Sequence, residues 1–353
     1  MRPVRASSGR ARSGARATVR VLALLAAVLL AAAAVLLALV VQPLVAPIES
    51  QPPAVNAAAL AEHVRHLSVD LHPRSADQPE KLERAMAYVE AQLRRAGATD
   101  VQSQPVKVDE ATYRNVIARF GPREGALVVI GAHVDSHGHA AAGARDPRGY
   151  TADSHTPGAD DNASGVAGLI ELARLFAATP PPRPIELVAY TLEEPPHFRG
   201  PNMGSAVHAR SLQAGGREPV LMVSLEMIGT FIDAPHSQRY PLPGMQWLYG
   251  DRGDFVAIVN RFGDFGVTRR AKALMSGATR LPVRSINAPP LVPGIDFSDH
   301  LNYWRLGMPA IMLTDTAFMR NVHYHSAHDT HEKLDYARMA SVVQAAHALA
   351  VSF

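Results

Sequence analysis

The chain contains no cysteine among its 353 residues. That excludes disulfides, thiolate metal sites and a cysteine nucleophile, and it leaves the redox compartment open. Any transition metal bound here must be held by nitrogen and oxygen. Acidic residues are absent as far as Glu49, whereas Arg2, Arg5, Arg10, Arg12, Arg16 and Arg20 all fall in that stretch. The pI of about 9.2 therefore belongs to the tail: without those six arginines the formal charge of +3 becomes −3. The body is mildly acidic, and nothing in it argues for a nucleic-acid partner.

Charge of either sign is missing from Val21 to Val41, a run of Leu, Ala and Val long enough to cross a bilayer as a helix. Residues 1–20 form a basic arm, and the positive-inside rule keeps that arm cytoplasmic with the remainder outside. A cleaved signal peptide is the competing reading. Its apolar core is usually about 7–15 residues, shorter than this one, and Gln42-Pro43 offers no clear small-residue cleavage site. Pro43, Pro47, Pro52 and Pro53 mark residues 42–56 as a stalk. Residues 57–353 then read as one domain.

Within that domain, helical patterns begin near Ala57 and after Asp77, the second closing with Arg94, Arg95 and Gly97 as a helix end should. Val101–Val108 and Asn115–Phe120 read as neighbouring antiparallel strands. LVVIGA, IELVAYT, VLMVSL and PAIMLT are short apolar runs suited to buried strands. Helices are expected over Ser164–Ala178, Asn202–Ala214, Asp254–Phe262, Ser298–Arg305 and Tyr336–Val351. This alternation predicts an α/β fold, a mixed and mostly parallel sheet covered by helices on both faces.

In such sheets, sites form beyond the carboxyl ends of the strands. LVVIGA stops at His133, with Asp135 two residues on. IELVAYT is followed by Glu193 and Glu194, and VLMVSL by Glu226. The turn Gly158–Ser164 brings Asp160 and Asp161 to a helix mouth, and a late loop carries Tyr324 and His325. Imidazoles and carboxylates at strand ends are the donors a zinc ion would need in a cysteine-free chain.

GAHVDS, PGADDNASG, the Glu-Glu pair, SLEMIG, FSDHLNYWRLGMPA and YHSAHDT occur in one order across about residues 58–353. Together they resemble the M28 family of zinc-dependent exopeptidases, which includes leucyl aminopeptidases, glutamate carboxypeptidases and glutaminyl cyclases. The resemblance implies two zinc ions bridged by Asp161, one completed by His133 and Glu226 and the other by Glu194 and His325. It makes Glu193 the general base for the attacking water and Tyr324 a donor to the developing oxyanion. Asp135 would hold the second nitrogen of His133, Asp160 would support or cap the turn, and Asp299 would shape the pocket. The Asp161–Asn162 peptide would be cis.

Two departures stand out. Glu226 occupies a position where most members have aspartate, and the stretch PPHFRGPNM after the Glu-Glu pair is longer than usual. His137, His139, His155, His197, His323, His328 and His331 exceed what the family needs and are expected mainly at the surface. Arg320 is expected in a structural ion pair. The activity implied is that of a membrane-anchored exopeptidase acting on peptides, an aminopeptidase first. The alternatives are a carboxypeptidase or glutaminyl cyclase of the same fold, another metallohydrolase such as a deacylase, and a non-catalytic receptor-like relative, against which the retained ligand set and base argue.

Overall fold

The structure is a computed structural model that describes residues 8–138 and 155–353. Arg2, Arg5 and His139 lie outside the described residues. Helix α1 (Ser8–Val41) contains the apolar run Val19–Val41, the one stretch among the described residues long and apolar enough to cross a membrane.

Helix α2 (Ala57–Arg65) starts where the Asn56 side chain accepts the backbone N–H groups of Ala58 and Ala59. Helix α3 (Pro79–Arg95) opens on proline, whose missing N–H costs nothing in a first turn. Strands β1 (Asp100–Val108) and β2 (Ala111–Phe120) form an antiparallel hairpin. Then follow β3 (Val128–His133), α4 (Gly165–Ala178), β4 (Ile185–Tyr190), α5 (Gly204–Ala214) and β5 (Leu221–Leu225). A short α6 (Gln246–Tyr249) precedes β6 (Val256–Arg261), α7 (Phe265–Ser276) and β7 (Val283–Ala288). Helix α8 (His300–Arg305), β8 (Ala310–Thr314) and α9 (Tyr336–Ser352) complete the chain.

The eight strands of the described residues join one sheet in the order β1-β2-β4-β3-β5-β8-β6-β7. Its centre, β4-β3-β5-β8, is parallel, so the carboxyl ends of these strands share one edge. Strand β6 reverses against β8, and β7 runs parallel to β6. The polarity of the sheet therefore flips between β8 and β6.

Side chains alternate between two cores. Val128 and Ile130 of β3 join the core under α2, α3, α4, α7 and α9, while Val129 joins the one under α5 and α8. Burial on both faces explains why these strands are continuous apolar runs, and each fully buried Val, Leu or Ile contributes about 1.5–3 kcal/mol.

Two expectations need correction. The helix expected over Asp254–Phe262 is strand β6: FVAIV is apolar at every position, and such a run carries no period that separates strand from helix. Residues 42–56 do not stand off as a spacer. Ile48 and Ser50 donate their backbone N–H groups to Ala273 and Gly277, and the Arg174 guanidinium bonds the Ala54 carbonyl. The segment is strapped along α7 toward α4.

Candidate metal centre

Strand β3 delivers His133 with both ring nitrogens constrained. Nδ1 lies 2.9 Å from the Asp135 backbone oxygen, and Nε2 points into a buried space where it has no hydrogen-bond partner. The Asp135 carboxylate is 3.7 Å from the ring and is engaged elsewhere: it accepts the backbone N–H of Glu193 at 3.2 Å and of Glu194 at 3.0 Å. Asp135 thus holds His133 through its main chain, and its side chain fixes the end of β4.

Asp161 enters from the turn before α4. That turn is built on Gly158, whose φ of 58° lies in the left-handed region and whose Cβ, if present, would meet the Asp161 carbonyl oxygen. The Asp329 carboxylate accepts the N–H groups of Asp160 and Asp161, and Arg74, fully buried, donates to the carbonyls of Leu67, Val134, Pro157 and Gly158. The Asp161–Asn162 peptide is cis. Asn162 ties this turn to β5, donating to the Leu225 oxygen and accepting the N–H of Met227.

The two oxygens of Asp161 face different partners. Oδ1 is 3.4 Å from His133 Nε2, which is itself 3.3 Å from Glu226 Oε2. Oδ2 is 3.2 Å from His325 Nε2, which is 3.3 Å from Glu194 Oε2. Donors bound tetrahedrally to one zinc at about 2.0–2.2 Å sit ~3.3–3.5 Å apart, close to these four pairwise distances, and His133, Asp161 and Glu226 form a group that could hold a metal ion. Glu194 Oε1, like His133 Nε2, is buried without a hydrogen-bond partner.

Electrostatics point the same way. The buried carboxylates of Asp161, Glu193, Glu194, Glu226 and Asp299 outnumber the imidazoles among them. Burial, reinforced by Glu226, Glu194 and Asp299 against the opposing pull of His133, raises the Glu193 carboxyl well above its ordinary range. Burial likewise pushes Asp299 up to about 7. For Asp161 burial acts upward too, but the neighbouring imidazoles of His133 and His325 prevail and hold it below the usual carboxylate range. A cluster so rich in acid calls for cations.

His137 was expected among the surface histidines, yet it is 4% exposed and its ring lies 4.1 Å from that of His325. One of its nitrogens falls within 4.8 Å of donor atoms of Glu194 and His325, a group that could hold a metal ion. The sequence signal was slight: His137 follows His133 by four residues in a strand-exit loop. Ser298 was also missed as a site residue. Its hydroxyl bonds Glu226 Oε2 at 2.7 Å, and Ser224 backs it at 2.8 Å.

The remaining expected residues divide. Asp160 faces away from both donor sets, accepting from Gly229, Thr230 and Asn321. Asp299 is buried and makes no side-chain capping bond to α8. Tyr324 stacks on His325 at 3.7 Å between centroids. Arg320, 1% exposed, bonds Gln238 and the Thr230 oxygen and lies over the Phe255 ring, so neutral partners and a ring hold it where an ion pair was expected. Beside the donors, an apolar cavity reaches from Glu226 and Tyr324 past Tyr249, Phe255, Phe297 and Met312.

Comparison with known proteins agrees with this architecture. YfbL, an uncharacterised protein of Escherichia coli, is 49% identical over 302 residues, covering 86% of this chain and 90% of that protein. A probable leucine aminopeptidase of Trichophyton verrucosum is 27% identical over 232 residues, or 64% of this chain, which spans about half (53%) of that enzyme's length. Among solved structures, the LapA aminopeptidase of Legionella pneumophila shares the fold with a TM-score of 0.63 at 21% identity, over 84% of this chain and 69% of its own. A Bacteroides thetaiotaomicron glutaminyl cyclase shares it with a TM-score of 0.62 at 18% identity, over 86% of this chain and all (100%) of its own. The sequence profile of peptidase family M28 matches residues 115–350, and the chain belongs to that family.

Proposed function

We propose that the protein is a two-zinc exopeptidase, an aminopeptidase, anchored by α1 with its basic arm in the cytoplasm and its catalytic domain outside. The observation that carries this reading is the Asp161 carboxylate, whose two oxygens each face a separate histidine–glutamate pair. His133, Asp161 and Glu226 would hold one ion. Asp161, Glu194 and His325 would hold the other, with His137 as an additional nitrogen donor. Zinc in these positions would supply Lewis acidity to the scissile carbonyl and acidify a water.

The chain's own residues do the rest. Glu193 takes a proton from the attacking water on its carboxylate and returns it to the leaving amine. Its backbone is pinned by Asp135, so the base is held against the donors rather than on a free loop. The Tyr324 phenol donates to the oxyanion. The apolar cavity takes a large hydrophobic side chain of the substrate, and the longer loop carrying Pro195, Pro196, His197 and Phe198, whose Phe198 ring packs against Phe297 of the cavity wall, shapes preference at its side.

The test is a profile of free-ended peptides alongside N-blocked and C-blocked controls, with metal analysis of the same preparation. Two zinc ions per chain and cleavage that is lost on N-blocking support the reading. Loss on C-blocking makes it a carboxypeptidase. Pyroglutamate from peptides with N-terminal glutamine, without released amino acids, replaces it with a glutaminyl cyclase.

A further inference from the structure

Where α1 meets the domain, the contact is a built joint. The last carbonyls of a helix have no partner within it. Here the Asn287 side-chain amide reaches the Leu39 and Val40 oxygens at 3.2 and 3.3 Å, and Ser285 Oγ bonds the Val41 oxygen at 2.9 Å. Lys272 Nζ lies 3.3 Å from the Val41 oxygen and 2.8 Å from that of Gln42. A buried cation at a helix carboxyl end also suits the helix dipole. Gln42 turns the chain off the helix at a φ of 50° and donates its amide to the Phe265 oxygen. Both Val41 and Gln42 are buried.

The direction of approach can be read from the partners. Going back along α1 from Val41 to Leu39, contact passes from Ser285 to Asn287, toward the carboxyl end of β7. Going forward, the chain passes from Phe265, at the start of α7, to Ala273 and Gly277 near its end. The apolar span therefore leaves the domain on the side where β6 and β7 finish. Because the sheet reverses between β8 and β6, that side lies opposite the edge carrying His133, Glu194 and Glu226.

The surface at the anchor side is apolar in the right places. Leu291, just past β7, is 91% exposed, and Phe262, just past β6, is 51% exposed. Phe262 N–H bonds the Ala288 oxygen and its ring packs edge-on against Phe265, so both residues belong to the rim around the end of the span. Arg269 and Arg270 are exposed on the first turns of α7. Apolar tips beside arginines are what a lipid headgroup layer accepts.

We propose that the domain sits flush on the bilayer, with Phe262 and Leu291 seated in its interface. This rests on α1 being a membrane span. The metal-bearing edge is then turned away from the lipid by the length of a six-residue strand, about 20 Å. Substrate enters from the aqueous phase, and the surface-bound partner of the opposite end is lipid.

The cysteine-free sequence makes the test direct. Leu30→Cys, Phe262→Cys, Leu291→Cys and Trp247→Cys each create one labelling site; Trp247 is 85% exposed on α6, at the metal-bearing side. The full chain, labelled with an environment-sensitive fluorophore, is placed in phosphatidylcholine–phosphatidylglycerol vesicles and quenched by lipid-borne nitroxide or aqueous iodide. Lipid quenching at positions 30, 262 and 291, with iodide quenching at 247, is the expected result. Iodide quenching at 262 and 291 while 30 stays in lipid overturns the seating and leaves the span intact. Lipid quenching at 247 overturns the orientation, and iodide quenching at 30 removes the span and the proposal together.

Discussion

Ser298 donates its hydroxyl hydrogen to Glu226 Oε2, the same oxygen that lies 3.3 Å from His133 Nε2. The longer glutamate side chain at this position is thereby steered, and the extra methylene does not leave the carboxylate free to swing. Ser298→Ala is expected to lower zinc affinity at the proposed site of His133, Asp161 and Glu226 by about 10–100-fold while the other proposed site is unaffected, since groups that orient a ligand carry effects of that size. Metal titration against a competing chelator reads it; two unchanged affinities would remove Ser298 from the site.

Glu193→Gln removes the proposed proton acceptor and keeps the shape. Activity is expected to fall by about 10²–10⁴-fold, with zinc content unchanged. Parallel kinetics and elemental analysis check it, and a variant with ordinary turnover would show that the proton goes elsewhere.

His137→Ala tests the additional nitrogen donor. In the cobalt-substituted protein the visible spectrum of one site should change, and that site should lose metal first on dialysis against chelator. His137→Gln should behave alike if donation by the imidazole is what matters. If both variants keep the parent spectrum and affinity, His137 serves only to pack against His325.

Away from the candidate centre, Glu186 is buried among His208, Arg119 and Arg217. Burial alone would raise its carboxyl, but these three partners, His208 foremost, bring it down to about 2. A group with a lowered folded-state value stabilises above its unfolded value, ordinarily near 4.5, and that contribution fades as pH falls through about 2. Glu186→Gln should therefore cost on the order of 2–3 kcal/mol at neutral pH and progressively less from about pH 4.5 to pH 2. Chemical denaturation of both forms across that range measures the difference.

How much of this was legible in the residues follows from what each signal encodes. Strands such as VVIGAH announce themselves because burial on both faces demands unbroken apolar runs, and their ends mark the candidate ligand positions. The same property hid β6, since FVAIV has no period. Strand β7 was missed for the opposite reason: VRSINA is half polar, as its edge position and its duty to bond the end of α1 require. For Asp135 the expected side-chain bond to His133 is made by its backbone oxygen instead, because no sequence pattern tells a carboxylate that holds an imidazole from one that holds two backbone N–H groups. His137 and Ser298 depend on loop paths that bring distant segments together, and spacing does not record those.

The frame around the candidate centre is made of bonds that use none of its donor atoms. Arg74 gathers four carbonyls, Asp329 and Asp135 collect backbone N–H groups, and Asn162 stitches the turn to β5. Small domains with little core remain unfolded until an ion nucleates them. Here two apolar cores and a backbone frame stand apart from the donor side chains, so removing metal is expected to cost activity before it costs the fold.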